Sequence, residues 1–308
     1  MTALTDFTWG YHGFALKHLS WHFDKTFEYP HDASQDALVL VVNLAVGKEL
    51  LIGRTMNSNA YWIGGRLYRM GAMLDRVLTV TDSLEEISAG LNELLTLRPD
   101  FIIVVGGLGP TPDDMTLKGI ALGLGRKVRF NKDAIRLIKE HLEKVGREFE
   151  LTPARRKMAM IPEGASPLTN DLGSAPGVRL IAGKGTVVFC LPGVPREMRN
   201  IFANFAEKEI RGKLGKMHIA KVTMKLRGIF EAALAPSIED ALKMHPEAYI
   251  KSHPRGLKGG VPTLELDVTV TSREASTARS TYSELLAFLR RRISELGGSV
   301  ASEKESMK

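Results

Sequence analysis

The sequence predicts an α/β protein: a mostly parallel sheet with helices on both faces, followed by a smaller α+β unit. Three observations carry that expectation. From residue 37 onward short apolar runs alternate with amphipathic segments, the rhythm of strand–helix–strand units. The turn-rich stretches after residues 46, 80 and 105 each follow an apolar run, which puts them at strand carboxyl ends, where such sheets bind ligands. Beyond residue 211 the order changes to β-α-β-β-α, the pattern of a separate small layer. The expected organisation is an N-terminal extension over 1–36, a main domain over 37–210 and a small domain over 211–308.

Residues 1–36 show no period of 2 or 3.6. Eight of the 21 aromatic residues fall in the first 30 positions, and four of the eight histidines stand at 12, 18, 22 and 31. The segment is too aromatic for a solvating tail, and its histidine spacings fit no metal site. An extension packed on the domain and an overlong start to the reading frame both fit it.

Ala37–Ala45 reads as the first strand, and Asn57–Met70 as a helix stopped by Gly71. Met73–Val80 is the second strand. Ser83, followed three residues later by Glu86, forms a capping box for a helix over Leu84–Thr96. Phe101–Val105 is a buried strand rich in β-branched residues, and a helix begins near Met115. A short strand over Lys127–Phe130 leads to Asn131, the cap of a helix over Lys132–Val145. Residues 151–177 are turn-rich, with little helix or strand signal. Strands over Val178–Ala182 and Thr186–Leu191 follow, and Pro195 starts a helix reaching Lys208. In the second unit the expected elements are Ile219–Leu226, Phe230–Met244, Ala248–Ser252, Thr263–Thr271 and Ala275–Leu296, with His253-Pro254-Arg255-Gly256 as a turn.

The loop after Phe101–Val105 reads G-G-L-G-P-T-P-D-D-M-T. Gly106, Gly107 and Gly109 permit positive φ, and a helix N-terminus follows, so free backbone N–H groups converge on a site for an anion. Asp113 or Asp114 is placed to cap that helix. Two carboxylates beside a phosphate would repel it, so the same loop asks for a divalent cation between them.

Composition narrows the class of function. Hydrophobic and charged contents of 44% and 25% are those of a globular protein. The longest apolar run, Ala37–Val46, is too short to span a bilayer as a helix, and nothing reads as a signal peptide. Cys190 is the single cysteine, which excludes an internal disulfide framework. The expected location is cytoplasmic. The net charge of +7 suits an anionic ligand. The runs Arg155-Arg156-Lys157 and Arg290-Arg291-Arg292 read as solvated helix faces, with no aromatics between them, so no nucleic-acid partner and no membrane partner is expected.

Six blocks in order, Gly47–Gly53, Asn57-Ser58-Asn59, Asp82, Gly106–Thr116, Gly173–Gly177 and Pro192–Pro195, resemble the CinA family. They match its N-terminal, MoaB/MogA-like molybdopterin-binding domain over about Ala37–Ala206. The resemblance implies a three-layer α/β/α fold that handles a phosphorylated pterin or nucleotide, with metal-dependent ADP-ribose pyrophosphatases, molybdopterin adenylation and molybdate insertion among its relatives. Asp82, Asp114 and Thr116 match shared positions, and Asp113 matches an acid of the CinA branch. Lys48, Ser58, Ser174 and Val194 depart mildly from the pattern. A deamidase domain, carried by full-length bacterial relatives, is not expected here.

On that footing Gly106, Gly107, Leu108, Gly109 and Thr111 would hold a phosphate by their backbone N–H groups. Asp82, Asp113 and Asp114 would hold Mg²⁺, Mn²⁺ or Co²⁺, and Glu49 would orient a water. Asp82, Asp114 and Glu49 are thus the expected catalytic set. Asn57 and Asn59 would touch ribose or base, and Thr116, Gly173, Ser174, Pro192 and Gly193 complete the expected ligand-binding set. The partner is a small phosphorylated metabolite, with molybdopterin as an alternative ligand, and a homo-oligomer is expected.

Overall fold

A computed structural model describes residues 39–307; the expectations for residues 1–36 lie outside that range. The main sheet begins with β1 (Leu40–Val46), followed by α1 (Lys48–Leu51), α2 (Ser58–Tyr68), β2 (Met73–Val80), α3 (Leu84–Thr96) and β3 (Phe101–Val105). Then come α4 (Thr116–Gly123), β4 (Val128–Phe130), α5 (Lys132–Lys144), α6 (Pro153–Met158), β5 (Met160–Pro162) and β6 (Ser166–Leu168). The domain closes with β7 (Gly177–Ala182), β8 (Thr186–Leu191), α7 (Pro195–Ile201), a π-helical turn over Phe202–Ala206 and α8 (Glu207–Leu214).

The six-stranded sheet runs β2-β1-β3-β8-β7-β6. β2, β1, β3 and β8 are mutually parallel, while β7 and β6 are antiparallel additions at one edge. Alternation along the strands sets the layers. Val42, Leu44, Val46, Ile102 and Val104 face Ile87, Leu91, Ile120 and Ile138 of α3, α4 and α5. Val41, Phe101, Ile103 and Val105 face Ile63 and Leu67 of α2 and Met198, Ile201 and Phe202 of the last helical stretch. The result is a three-layer α/β/α arrangement.

Several local expectations are corrected. The first strand starts at Leu40, not Ala37. β4 is not part of the main sheet and pairs antiparallel with β5 as a separate two-stranded piece. The passage from 151 to 177 holds α6, β5 and β6. Elements of three to six residues are too short to show a period. The Thr152 cap, which accepts from Arg155 N–H, and Pro153 at the first helical turn were the readable signal. The helix from Pro195 runs on through the π turn to Leu214 rather than stopping at Lys208.

The second unit comprises β9 (His218–Arg227), α9 (Glu231–Met244), β10 (Tyr249–Lys258), β11 (Val261–Ser272), α10 (Ala275–Glu295) and β12 (Ser299–Met307). Its sheet is antiparallel in the order β10-β11-β9-β12, so the order is β-α-β-β-α-β, one strand more than expected. β12 is polar and exposed almost throughout, which hid it from an apolar-pattern reading. His253–Gly256 is not a turn: β10 continues through it, with an irregularity in register between Pro254 and Leu257. Ala220, Val222, Met224 and Leu226 of β9 pack with Leu285, Leu286 and Leu289 of α10 on one face only.

The two sheets meet at the carboxyl end of α2. The Tyr68 hydroxyl hydrogen-bonds Thr269 Oγ1, and its ring lies edge-on to Tyr249 at 5.9 Å. Among the described residues no helix is long and apolar enough to cross a membrane.

Candidate functional site

At the carboxyl ends of β1, β2 and β3 a cleft of about 260 Å³ opens between α1, the start of α2 and the turn before α7. It brings together Glu49, Asn57, Asn59, Asp82, Gly106, Gly107, Asp113, Asp114 and Gly193 of the expected residues. Leu50, Thr55, Met56, Ser58 and Pro195 also line it. Those five carry no charge and sit on a loop and three helices; Leu50, Ser58 and Pro195 fell within the matched blocks, and nothing marked Thr55 and Met56.

Gly106 and Gly107 show why glycine is required in the loop. Gly106 has φ of 109°, and a Cβ there would lie 2.2 Å from the Val46 carbonyl oxygen. Gly107 has φ of 64°, and a Cβ there would meet Thr116 Oγ1 at 2.3 Å. The chain therefore crosses close over the end of β1 and under the start of α4 with no room for a side chain. The Gly107, Leu108 and Gly109 N–H groups have no hydrogen-bond partner among the described residues, which leaves them free for an acceptor.

Thr116 departs from its expected role. It is fully buried, and its hydroxyl donates to Gly106 O at 2.7 Å. It fixes the loop from below and does not face the cleft. Neither acid caps α4: the cap position is Met115, and no side chain bonds the first N–H groups. Asp114 instead closes the preceding turn, where its Oδ2 accepts from Thr111 N–H at 2.8 Å and from the Thr111 hydroxyl at 2.6 Å. A capping role would have needed a carboxylate at the cap position, which Met115 holds, and the Thr111–Asp114 turn engages Asp114 instead. Hydrogen bonding from Thr111 also holds the Asp113 carboxyl below the usual carboxylate range, with Lys157 adding a smaller pull.

Lys157 is the residue that sequence reading missed. Its ammonium, carried on α6, donates to Gly109 O at 3.2 Å and to Thr111 O. It thus ties the back of the loop to the domain, and burial lowers its pKa. The neighbouring arginines lie over aromatic rings: Arg155 over Phe149 at 5.9 Å and Arg156 over Phe130 at 5.0 Å. The run is thus only partly the solvated face expected: Arg156 is exposed, while Lys157 reaches carbonyls 46 and 48 residues away. Arg290–Arg292, by contrast, is a helix face paired to Glu295, Glu303 and Glu305.

Asp82 Oδ2 accepts from Lys48 N–H at 2.8 Å, which joins the ends of β1 and β2. The Glu49 carboxylate folds back over Gly47, whose hypothetical Cβ would lie 2.4 Å from Oε1. Asn57 caps α2 by accepting from Ala60 N–H at 3.1 Å. Asn59 donates to Gly193 O at 2.8 Å, and its Oδ1 is buried with no partner among the described residues.

Gly173, Ser174 and Pro192 do not line the cleft. Asn170 donates to Glu197 Oε2 at 2.7 Å and to Ala175 O, and so pins the 173–176 loop. Gly173 is needed because Glu197 packs where its side chain would be. Leu108 is buried among core residues, leaving only its backbone to serve a ligand.

The expected three-carboxylate metal cage is not assembled: no three His, Cys, Asp or Glu side chains converge to hold an ion among the described residues. The reason is local, since Asp82 and Asp114 are each engaged by backbone N–H groups. The donor set still fits Mg²⁺. That ion takes oxygen ligands, keeps several waters and is held by one or two carboxylates plus substrate phosphates; Glu49, Asp82, Asp113 and Asp114 offer oxygen alone.

The fold and cleft define a three-layer α/β protein with an oxygen-rich, glycine-floored site at the carboxyl ends of its parallel strands. The chain belongs to the family described as the probable molybdopterin binding domain, which matches residues 43–212, and within it is CinA-like. It is 39% identical over 264 residues to a protein of Aeropyrum pernix, covering 84% of this chain and 96% of that one. A protein of Metallosphaera sedula is 38% identical over 257 residues, covering 83% and 95%. The crystal structure of CinA, of unknown function, from Thermoplasma acidophilum is 40% identical over 55% of this chain and 98% of that one, with a TM-score of 0.50.

Proposed function

We propose that the cleft binds a phosphorylated nucleotide or pterin together with a divalent cation, and hydrolyses a pyrophosphate link such as that of ADP-ribose. The observation that carries this reading is the charge of the lining. Glu49, Asp82, Asp113 and Asp114 are its ionisable side chains, and no lysine, arginine or histidine lines it; Lys157 acts on Asp113 and Asp114 from behind the loop. The loop carries three unpartnered N–H groups, of which that of Gly107 lines the cleft. A phosphate there meets amide donors on one side and repulsive carboxylates on the other, so a cation is what reconciles the two.

In this reading the N–H groups of Gly107, Leu108 and Gly109 grip one phosphate. Asp113 and Asp114, with phosphate oxygens and water, hold Mg²⁺ or Mn²⁺, which supplies charge neutralisation when bound. Glu49 and Asp82 face the same space and orient the attacking water. That water adds to one phosphorus and the bridging P–O bond breaks, giving AMP and ribose 5-phosphate. The Asn59 Oδ1 is placed to accept from a ribose hydroxyl or a ring N–H. The family's description is the observation that keeps a pterin as the second ligand to test.

The test incubates purified protein with ADP-ribose and Mg²⁺, Mn²⁺ or Co²⁺ and measures AMP. Metal-dependent release that disappears in Asp114→Asn, with the circular-dichroism spectrum unchanged, supports the reading. Absence of release with every metal refutes hydrolysis; tight pterin binding in the same preparation would then assign the cleft to a pterin.

A further inference from the structure

The sequence spreads its positive charge evenly, and linear runs of arginine turn out to be paired. The fold does something a linear reading cannot show: it sorts charge by face. Strand alternation in the second sheet sends Ala220, Val222, Met224 and Leu226 inward, so Lys221, Thr223, Lys225 and Arg227 project outward. Register carries the pattern across the sheet. Lys251 of β10, Asp267 of β11, Thr223 of β9 and Lys304 of β12 form one outward row, and His253, Glu265, Lys225 and Ser302 form the next.

The two acids of this face are already neutralised. Asp267 accepts from the Thr223 hydroxyl and lies 3.7 Å from Lys221 Nζ and 3.6 Å from His253 Nε2. Glu265 accepts from Arg255 at 2.9 Å. Lys225, Arg227, Lys251 and Lys304 are exposed and have no carboxylate partner among the described residues. Lys225 and Arg227 stand about 7 Å apart along β9, and Lys251 and Lys304 about 14 Å apart across the sheet. The Ser302 hydroxyl lies beside Lys225 in the second row, while those of Thr223 and Thr263 already donate to Asp267 and to Gly256 O.

We propose that this open face binds the phosphodiester backbone of a nucleic-acid strand without reading its bases. Charge complementarity argues for a polyanion, and the Ser302 hydroxyl beside Lys225 suits a phosphate oxygen. No phenylalanine, tyrosine or tryptophan stands in these two rows to stack on bases: His253 is turned to Asp267 at 3.6 Å, and the ring of Tyr249, in the adjacent row, is edge-on to Tyr68. A lipid surface is disfavoured because the outward rows between Lys251 and Lys304 carry no large apolar side chain to insert. The inference is independent of the cleft, which lies on the other domain.

The test is fluorescence anisotropy with the full chain and labelled single-stranded oligonucleotides of mixed and homopolymeric sequence. Binding insensitive to sequence is expected, with log K falling against log salt at a slope of about −3, four cations at about −0.7 each. K225E/R227E should weaken binding about tenfold or more and roughly halve that slope. K132E/K144E, on exposed positions of α5, makes the same change in net charge and should leave binding within about twofold. If K225E/R227E does not fold, K251E/K304E on the edge strands serves in its place. Absence of binding at low salt overturns the proposal, as does equal weakening by the α5 control. Capture of anionic phospholipid vesicles without oligonucleotide binding also overturns it.

Discussion

Thr116→Val tests whether that threonine serves the loop or the ligand. The substitution keeps the side-chain volume and removes one hydroxyl. In the structure that hydroxyl donates to Gly106 O at 2.7 Å in a fully buried setting, and no other donor reaches this carbonyl among the described residues. Stranding a buried acceptor destabilises by about 1–3 kcal/mol. The incoming methyl must also retreat from the oxygen, so the upper part of that range is expected. At ~2–4 °C per kcal/mol for a domain of this size, the thermal midpoint should fall by about 6 °C. Thr116→Ser keeps the donor and should lose much less. Thermal denaturation by circular dichroism, run on both variants with and without ADP-ribose and Mg²⁺, is the assay. An unchanged midpoint in Thr116→Val together with lost ligand affinity would refute the buried role and return the hydroxyl to the ligand.

Glu207 accepts from Arg66 at 2.7 and 3.0 Å and from Arg211 at 2.9 Å. Burial alone would raise its pKa, but these hydrogen bonds outweigh it and hold the carboxyl below the ordinary glutamate value. Its contribution is therefore present above that ordinary value and is lost as pH falls through the lowered one; Glu207→Gln should flatten the acid limb of a stability–pH curve. Cys190 is fully buried, and burial pushes its thiol up to about 12, so dithionitrobenzoate should react with it only on unfolding, and rapid reaction in the native state would contradict the packing. Lys157→Met should loosen the Gly109–Thr111 backbone, seen as faster limited proteolysis there with an unchanged far-ultraviolet spectrum.

Where apolar side chains alternate or recur with a helical period, the fold was legible before any coordinates. β2, α3 and β3 have the limits their sequence predicts, because Met73–Val80, the Ser83 cap and Phe101–Val105 each carry a local signal. The glycine loop was legible for the same reason, since only glycine tolerates the close approach of Val46 O and Thr116. What stayed hidden depends on partners distant in sequence. Lys157 sits 48 residues from the carbonyl of Gly109 that it holds, and β12 owes its place to hydrogen bonds with β9 rather than to apolar residues. The carboxylates were identifiable as a group, but which of their oxygens are engaged by Lys48 and Thr111 is set by loop geometry alone. The direction of charge in the second sheet required knowing that its residues alternate about a buried face.

Helix α2 has a mechanical meaning beyond its place in the layer. Its eleven residues form a rod about 16 Å long, fastened near one end by Asn59 to Gly193, along its flank by Arg66 to Glu207, and at the far end by Tyr68 to Thr269. A rod held at three points does not tilt. Residues 51–56 on the pocket's rim are by contrast exposed, and their chain is shaped by bonds to Glu49 and Leu50 in its own neighbourhood. Of the elements around the pocket α2 is thus the braced one, and a longer segment grafted at 51–56 would test whether that stretch limits the size of an occupant.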